Sequence, residues 1–215
     1  MMSPKTNWKT ILSQTKPDLL TEDRMSELKL DFHTLTPERW DDLVTLFGPH
    51  GAVAGCWCMW WRISDREFRE TSKDEHKALF QQRVDAGQPT GILAYDNDKP
   101  VGWVSVAPRA EYKRFTETKT RSWKVIDEAP VWCIVCFFVA ARYRRKGVGE
   151  QLLVAAVEYA RSQGASILEA CPKDTAGEKA NPLSIYYGTL SMYIKAGFEE
   201  VARFQPTYPI MRLKL

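Results

Sequence analysis

Arg144-Arg145-Lys146-Gly147-Val148-Gly149 is the stretch on which the reading of this chain turns. An apolar run, Trp132 to Val139, precedes it, and an amphipathic run, Val148 to Ser162, follows it. Short apolar runs bounded by turn signals read as buried strands, so the local order is strand, basic glycine loop, helix. Glycines let backbone approach an anion closely, and the free N–H groups of a helix's first turn point toward it. The helix dipole and the cationic side chains of Arg144, Arg145 and Lys146 add a positive field. Such a loop is a cradle for a pyrophosphate.

Two other phosphate loops fit the pattern less well. A Walker loop has its Lys after the glycines, whereas Lys146 precedes them, and a Rossmann fingerprint needs a third glycine where Leu152 stands. The remaining pattern, Arg-x-x-Gly-x-Gly, resembles the coenzyme A loop of the GNAT superfamily of N-acetyltransferases. Two further segments carry the resemblance. Phe137-Phe138-Val139 ends a hydrophobic strand just before the first Arg, and Tyr193-Ile194-Lys195-Ala196-Gly197-Phe198 places a Tyr four residues before a Gly-Phe pair ahead of a last strand pair. Gly197 also fits the left-handed cap past a helix end. The likeness spans Leu28 to Leu215, leaving residues 1–27 as an N-terminal extension, helical or partly disordered.

The resemblance implies an α/β GNAT fold, a mixed and mostly antiparallel sheet with helices on both faces. It further implies that the strand Val131 to Val139 and the next one, Ile167 to Ala170, splay apart at a bulge to admit the pantetheine arm of acetyl-CoA, the cosubstrate. Backbone groups of Phe137, Phe138 and Val139 then bond that arm, while Arg144, Arg145, Lys146, Gly147, Val148 and Gly149 hold the pyrophosphate. An amine attacks the thioester directly in a ternary complex, and Tyr193 is the acid for the departing thiolate. An unperturbed Tyr titrates near ~10, close enough to a thiol for that role.

The general base stays open. Relatives carry a Glu on the strand where this chain has Cys133, and a thiol is a poor base for an ammonium group. Glu111, Asp127, Glu128, Glu169 or a water chain are the alternatives. Relatives also carry an Asn just before the last helix, where Tyr186 or Tyr187 falls here, Asn181 lying too early. Without the usual Glu, a non-catalytic acyl-CoA-binding sensor is the alternative function.

Composition bounds the rest. The chain has 215 residues, 44% of them hydrophobic, and a net charge of +3. That charge is too mild to favour nucleic acid as a partner. No apolar run approaches the ~20 residues of a membrane span, and Met1-Met2-Ser3-Pro4-Lys5 opens no secretory signal, so a cytoplasmic protein is expected. Five cysteines make an odd count and suggest reduced thiols. Cys56 and Cys58 with Cys133 and Cys136 raise the question of zinc. Strand residues three apart face opposite sides, so no metal is expected.

Further elements read along the chain as a strand from Leu28 to Leu35, a helix capped by Thr36-Pro37-Glu38 with Trp40, Leu43, Val44 and Phe47 inward, and a helix from Ser72 to Ala86. Strands follow at Gly91 to Tyr95 and Val101 to Ala107, then a charged stretch from Arg109 to Lys124. After the loop helix come a strand at Ile167 to Ala170, a short helix reaching Ala196, and strands at Glu200 to Phe204 and Met211 to Leu215. In relatives the acceptor side is built from the first two helices, their connection and the loop after the second hairpin strand. Here those places hold Trp57, Trp60, Trp61, Trp103 and Glu111. Trp57, Trp103 and Glu111 are therefore the candidate substrate contacts. Eight tryptophans in the chain suit a small aromatic or apolar amine, or a cation held by its π faces. A monomer or homodimer is expected.

Overall fold

Period-two burial on two central strands organises the molecule. In the computed structural model, which describes residues 28–117, 122–177 and 185–215, Ile92, Ala94, Val104 and Val106 join one core cluster. Their neighbours Leu93, Tyr95 and Trp103 join a second one on the opposite face. A strand buried on both faces needs helices on both, and it has them.

The sheet has seven strands in the order β1-β2-β3-β4-β5-β7-β6. They are β1 (Asp31–Thr34), β2 (Gly91–Asp96), β3 (Lys99–Pro108), β4 (Trp132–Val139), β5 (Ile167–Ala170), β6 (Glu199–Gln205) and β7 (Tyr208–Lys214). Neighbours run antiparallel except β4 and β5, which are parallel. The helices are α1 (Trp40–Phe47), α2 (Asp65–Glu70), α3 (Lys73–Asp85), α4 (Arg114–Glu117), α5 (Val148–Ser162) and α6 (Leu190–Lys195). No helix among the described residues is long and apolar enough to cross a membrane.

Helix α5 lies on one face of the sheet. Its residues Val148, Leu152, Leu153, Ala155, Ala156 and Tyr159 join the first cluster. Gly102 of β3 makes this possible, because a Cβ there would stand 2.9 Å from Leu152 Cδ1 and 3.1 Å from Val148 Cγ1. The missing side chain lets the helix settle close to the strand. Helices α1 and α3 cover the other face through Leu43, Phe47, Phe80 and Val84. A third cluster (Trp61, Tyr112, Trp123, Cys133, Val135, Cys171, Tyr187 and Ile210 among them) sits where β4 and β5 meet.

Most elements fall where the sequence places them, with several differences, among them the short helix α4 inside the charged stretch after β3. The first strand is shorter than Leu28 to Leu35. A 3-10 turn, Pro37–Arg39, precedes α1, and Thr36 makes no side-chain cap bond. Helix α2 is not foreseen, because Phe68 alone gives no apolar stripe. Its signal is Ser64-x-x-Glu67, a capping box in which the Ser64 hydroxyl accepts the Glu67 N–H and the Glu67 carboxylate accepts the Ser64 N–H. Residues 1–27 and Asn181 lie outside the described residues.

Candidate active site

Strand β4 carries a bulge at its centre. Ser105 pairs with Cys136 but Val106 pairs with Ile134, so Val135 is the extra residue. Pairing to β5 covers Trp132, Cys133 and Ile134 and stops there. Past the bulge the two strands part, and the edge from Cys136 to Val139 faces the gap. The Phe137 N–H on that edge donates to the Tyr186 carbonyl at 2.6 Å. The side chains of Phe137 and Val139 pack against the α5 cluster, while Phe138 lies edge-on to Phe47 at 5.3 Å on the opposite face. The backbone of this segment, more than its side chains, is therefore available to a ligand.

The chain then makes a 3-10 turn, Ala141–Tyr143, and enters the basic loop. Arg145 (φ 61°) and Gly147 (φ 78°) are left-handed, reversing the chain so that α5 starts at the end of β4. Arg144 Nε donates to the Val139 carbonyl at 3.0 Å, fixing the loop to the strand. The side chains of Arg144, Arg145 and Lys146 are exposed, and Lys146 Nζ stands 5.6 Å from the Tyr143 ring centre. Val148, the first residue of α5, turns its side chain into the core, which leaves only its backbone open to a ligand. A Cβ on Gly149 would meet nothing within 4 Å. The first-turn N–H groups lack intrahelical carbonyls. Space, donors and positive charge coincide at one helix end.

Tyr193 of α6 faces the same gap from below. It is fully buried, edge-on to Phe137 at 6.5 Å and to Phe198 at 5.0 Å. Its hydroxyl donates to the Tyr187 carbonyl at 3.0 Å. Burial, with Cys171 and Cys136 nearby, pushes this phenol well above its ordinary value, so it holds its proton and does not have the near match to a thiol expected of an unperturbed Tyr. Gly197 (φ 84°) ends the helix in the left-handed cap, and the Phe198 N–H returns to the Tyr193 carbonyl at 3.0 Å. Gly188 (φ 83°) lets the preceding turn lie against α6, since a Cβ there would stand 2.8 Å from Met192 Sδ.

On the acceptor side the structure puts the candidate contacts into the packing. Trp57 is 4% exposed and stacks on Trp40 at 6.3 Å. Its indole lies where a Cβ on Gly51 would be. Left-handed backbone at Gly48, Gly51, Ala52, Ala54, Gly55, Trp57 and Cys58 winds this connection inward. Trp103 is fully buried and donates its indole N–H to Cys58 Sγ at 2.9 Å. Glu111 accepts from Arg83 at 2.9 Å and stands 3.8 Å from Arg62, whose side chain is fully buried. Of the three candidate substrate contacts, Trp57 and Trp103 are thus packed in the core, and Glu111 pairs with a buried arginine. Trp60 keeps an exposed face.

The cysteine geometry also departs from expectation. The bulge at Val135 puts Cys136 and Cys133 against the same cluster instead of on opposite faces. No group of three or more His, Cys, Asp or Glu residues among the described residues could hold a metal ion. Burial pushes the Cys56 thiol up to about 11 and Cys171 up to about 12, and it raises Cys133 and Cys58 well above the usual thiol value. These are packed, unreactive thiols.

Of the alternative bases, Glu169 is fully buried in β5 beside Cys133. It accepts from the Trp123 indole at 2.8 Å and from Arg212 Nε at 2.8 Å. Arg212 also grips Asp127 at 2.6 and 2.8 Å. Hydrogen bonds from Arg212 hold the Asp127 carboxyl down to about 2. A carboxyl held down as Asp127 is makes a poor proton acceptor. The Tyr186 and Tyr187 carbonyls in the gap have no sequence signature, because a main-chain acceptor is placed by tertiary fit alone.

The sequence matches the acetyltransferase (GNAT) family over residues 57–183, more than half of its length. The chain belongs to that family. Among solved structures, a GNAT-family acetyltransferase from Listeria monocytogenes 4b F2365 is 12% identical with a TM-score of 0.52, over 88% of this chain and 98% of that one. Salmonella typhimurium yncA, solved with its cofactor acetyl-CoA, is 16% identical with a TM-score of 0.50, over 86% and 94%. Ribosomal-protein-alanine N-acetyltransferase from Brucella melitensis is 18% identical with a TM-score of 0.50, over 86% and 99%. At these identities the likeness establishes the fold, and no curated protein matches the chain.

Proposed function

We propose that this acetyltransferase moves an acetyl group from acetyl-CoA to a primary amine by direct attack in a ternary complex. Acetyl-CoA supplies the acetyl group as an activated thioester. The observation that carries the reading is the continuity of the donor edge. One strand leaves its parallel neighbour after Ile134 and runs straight into the cationic, left-handed turn that opens α5. The residues fit the group: the exposed Arg144, Arg145 and Lys146, the first-turn N–H groups and the open space at Gly149 suit a pyrophosphate.

On this reading the Phe137 N–H polarises the thioester carbonyl, an interaction that strengthens as the oxygen gains charge. To serve, it exchanges its bond to the Tyr186 carbonyl. Attack forms the amide C–N bond, breaks the C–S bond, and leaves one proton to leave the amine and one to reach the thiolate. Tyr193 is the donor for the thiolate, turning from the Tyr187 carbonyl. Because Arg212 holds the Asp127 carboxyl down and the Glu169 oxygens are taken up by Trp123 and Arg212, the amine proton passes to solvent through water.

A second reading, a non-catalytic acyl-CoA sensor, is favoured by the fully buried Cys133 at the usual base position. A panel of primary amines with acetyl-CoA, followed by thiol release, separates the two. Amine-dependent release supports the transferase, whereas tight acetyl-CoA binding without release for any amine supports the sensor.

A further inference from the structure

Strand β4 leaves β5 after Ile134, and a tight turn at residues 185–188 takes up the vacated edge. Two consecutive carbonyls of that turn are engaged. The Tyr186 carbonyl accepts from the Phe137 N–H at 2.6 Å, and the Tyr187 carbonyl accepts from the Tyr193 hydroxyl at 3.0 Å. These are the two donors on which the transferase reading rests. In the free chain both are held by one short piece of backbone.

The two carbonyls are tied to each other. The Gly188 N–H donates to the Ile185 carbonyl at 2.8 Å, closing the turn around them. The rings of Tyr186 and Tyr187 lie 3.9 Å apart, and the Tyr186 hydroxyl donates to the Tyr187 hydroxyl. Neither residue can withdraw its carbonyl without pulling on the other.

Past the turn the chain is anchored. The Gly188 carbonyl accepts from the Lys173 N–H at 2.9 Å, and the Leu190 N–H donates to the Lys173 carbonyl at 2.8 Å. Gly188 (φ 83°) joins the turn to this anchor, and a glycine takes either sign of φ at little cost, so it is the pivot. A Cβ there would stand 3.0 Å from Tyr193 Cε2, so the turn rests on the ring whose hydroxyl it holds.

We propose that residues 185–188 form a strap that closes the donor edge in the free chain, and that acetyl-CoA, on taking the Phe137 N–H, lifts both carbonyls together and so frees the Tyr193 hydroxyl. This rests on the transferase reading and adds a control to it: the acid is released only when the donor is seated. Exchanging one hydrogen bond for another has little net cost, so a ligand carbonyl competes with Tyr186 on nearly even terms. Acetyl-CoA binds the open strap alone and shifts the population toward it. The closed fraction lowers the apparent affinity in proportion.

The test reads the two carbonyls by NMR on the full chain. Tyrosine labelled at its carbonyl carbon and glycine labelled at nitrogen single out Tyr187, since Tyr187-Gly188 is the one Tyr-Gly step in the sequence. Doubly labelled tyrosine singles out Tyr186 through Tyr186-Tyr187. Acetyl-CoA, added without amine, should move both signals in step. That of Tyr187 should reach the position it has in free Tyr193→Phe, where the hydroxyl bond is gone. A Tyr187 signal that stays in place while calorimetry shows acetyl-CoA bound overturns the strap and leaves the transferase standing. No binding of acetyl-CoA at all counts against the donor edge itself, and the strap falls with it. Tyr187→Phe keeps the carbonyl and cuts the link between the hydroxyls, so it should bind acetyl-CoA several-fold more tightly. Equal or weaker binding by this variant contradicts a closed strap.

Discussion

Around Gly147 and Gly149 the chain keeps side chains out of the way, whereas around Gly51 to Trp61 it packs them inward. The donor edge offers backbone N–H groups, a bulge at Val135 and open space at Gly149. The acceptor connection uses its left-handed residues to bury Trp57 against Trp40 and to aim Cys58 at the Trp103 indole. One region presents main chain and field, the other packs side chains by shape. The main-chain arrangement follows from local sequence, because glycine, charge and a helix start suffice to specify it. The side-chain packing follows only from the assembled fold.

The largest effect that would break this contrast comes from Trp57→Ala. If the indole is core, its removal should cost about 3 to 5 kcal/mol of stability, read as a lowered urea midpoint. A variant of parental stability with only a raised KM for the amine would make Trp57 a pocket wall and weaken the contrast. Next is Tyr193→Phe, which keeps the ring against Phe137 and Phe198 and removes the proton. Turnover should fall about 100-fold with acetyl-CoA affinity kept. Activity within about threefold of the parent would assign the hydroxyl to the Tyr187 carbonyl alone.

The smallest effect concerns the Arg212 clamp between Asp127 and Glu169. Asp127 has its folded value lowered from 3.8 to about 2 by hydrogen bonds from Arg212. A depressed carboxyl stabilises the fold above its unfolded value, and that contribution is lost as pH falls from about 4 through 2. Melting temperatures across this window should fall less steeply for Asp127→Asn than for the parent. Identical slopes would remove Asp127 from the acid response.

The loop and α5 were legible because their signals are local: Gly147 lies in the left-handed region and Val148–Ser162 has the bounds its pattern gives. The succession of strands along the chain was legible for the same reason. Helix α2 was not, since its capping box stands beside no apolar stripe. Nor was the side of Cys136, because a one-residue bulge reverses the alternation that strand patterning assumes. Arg114 lies in a charged stretch that reads as solvated surface. Its burial depends on Trp60 and Asp65, far away in sequence.

On the reading proposed above, the open first turn of α5 holds the phosphates of acetyl-CoA. Gly149→Asp tests it more cleanly than a change at Gly147, whose φ of 78° would strain any side chain. Gly149 has room for a side chain, and an acid in a first helical turn favours the fold. By calorimetry, Gly149→Asp should lose well over tenfold in acetyl-CoA affinity, more than about 1.4 kcal/mol, at an undiminished melting temperature. Unchanged affinity in the folded variant would contradict the account.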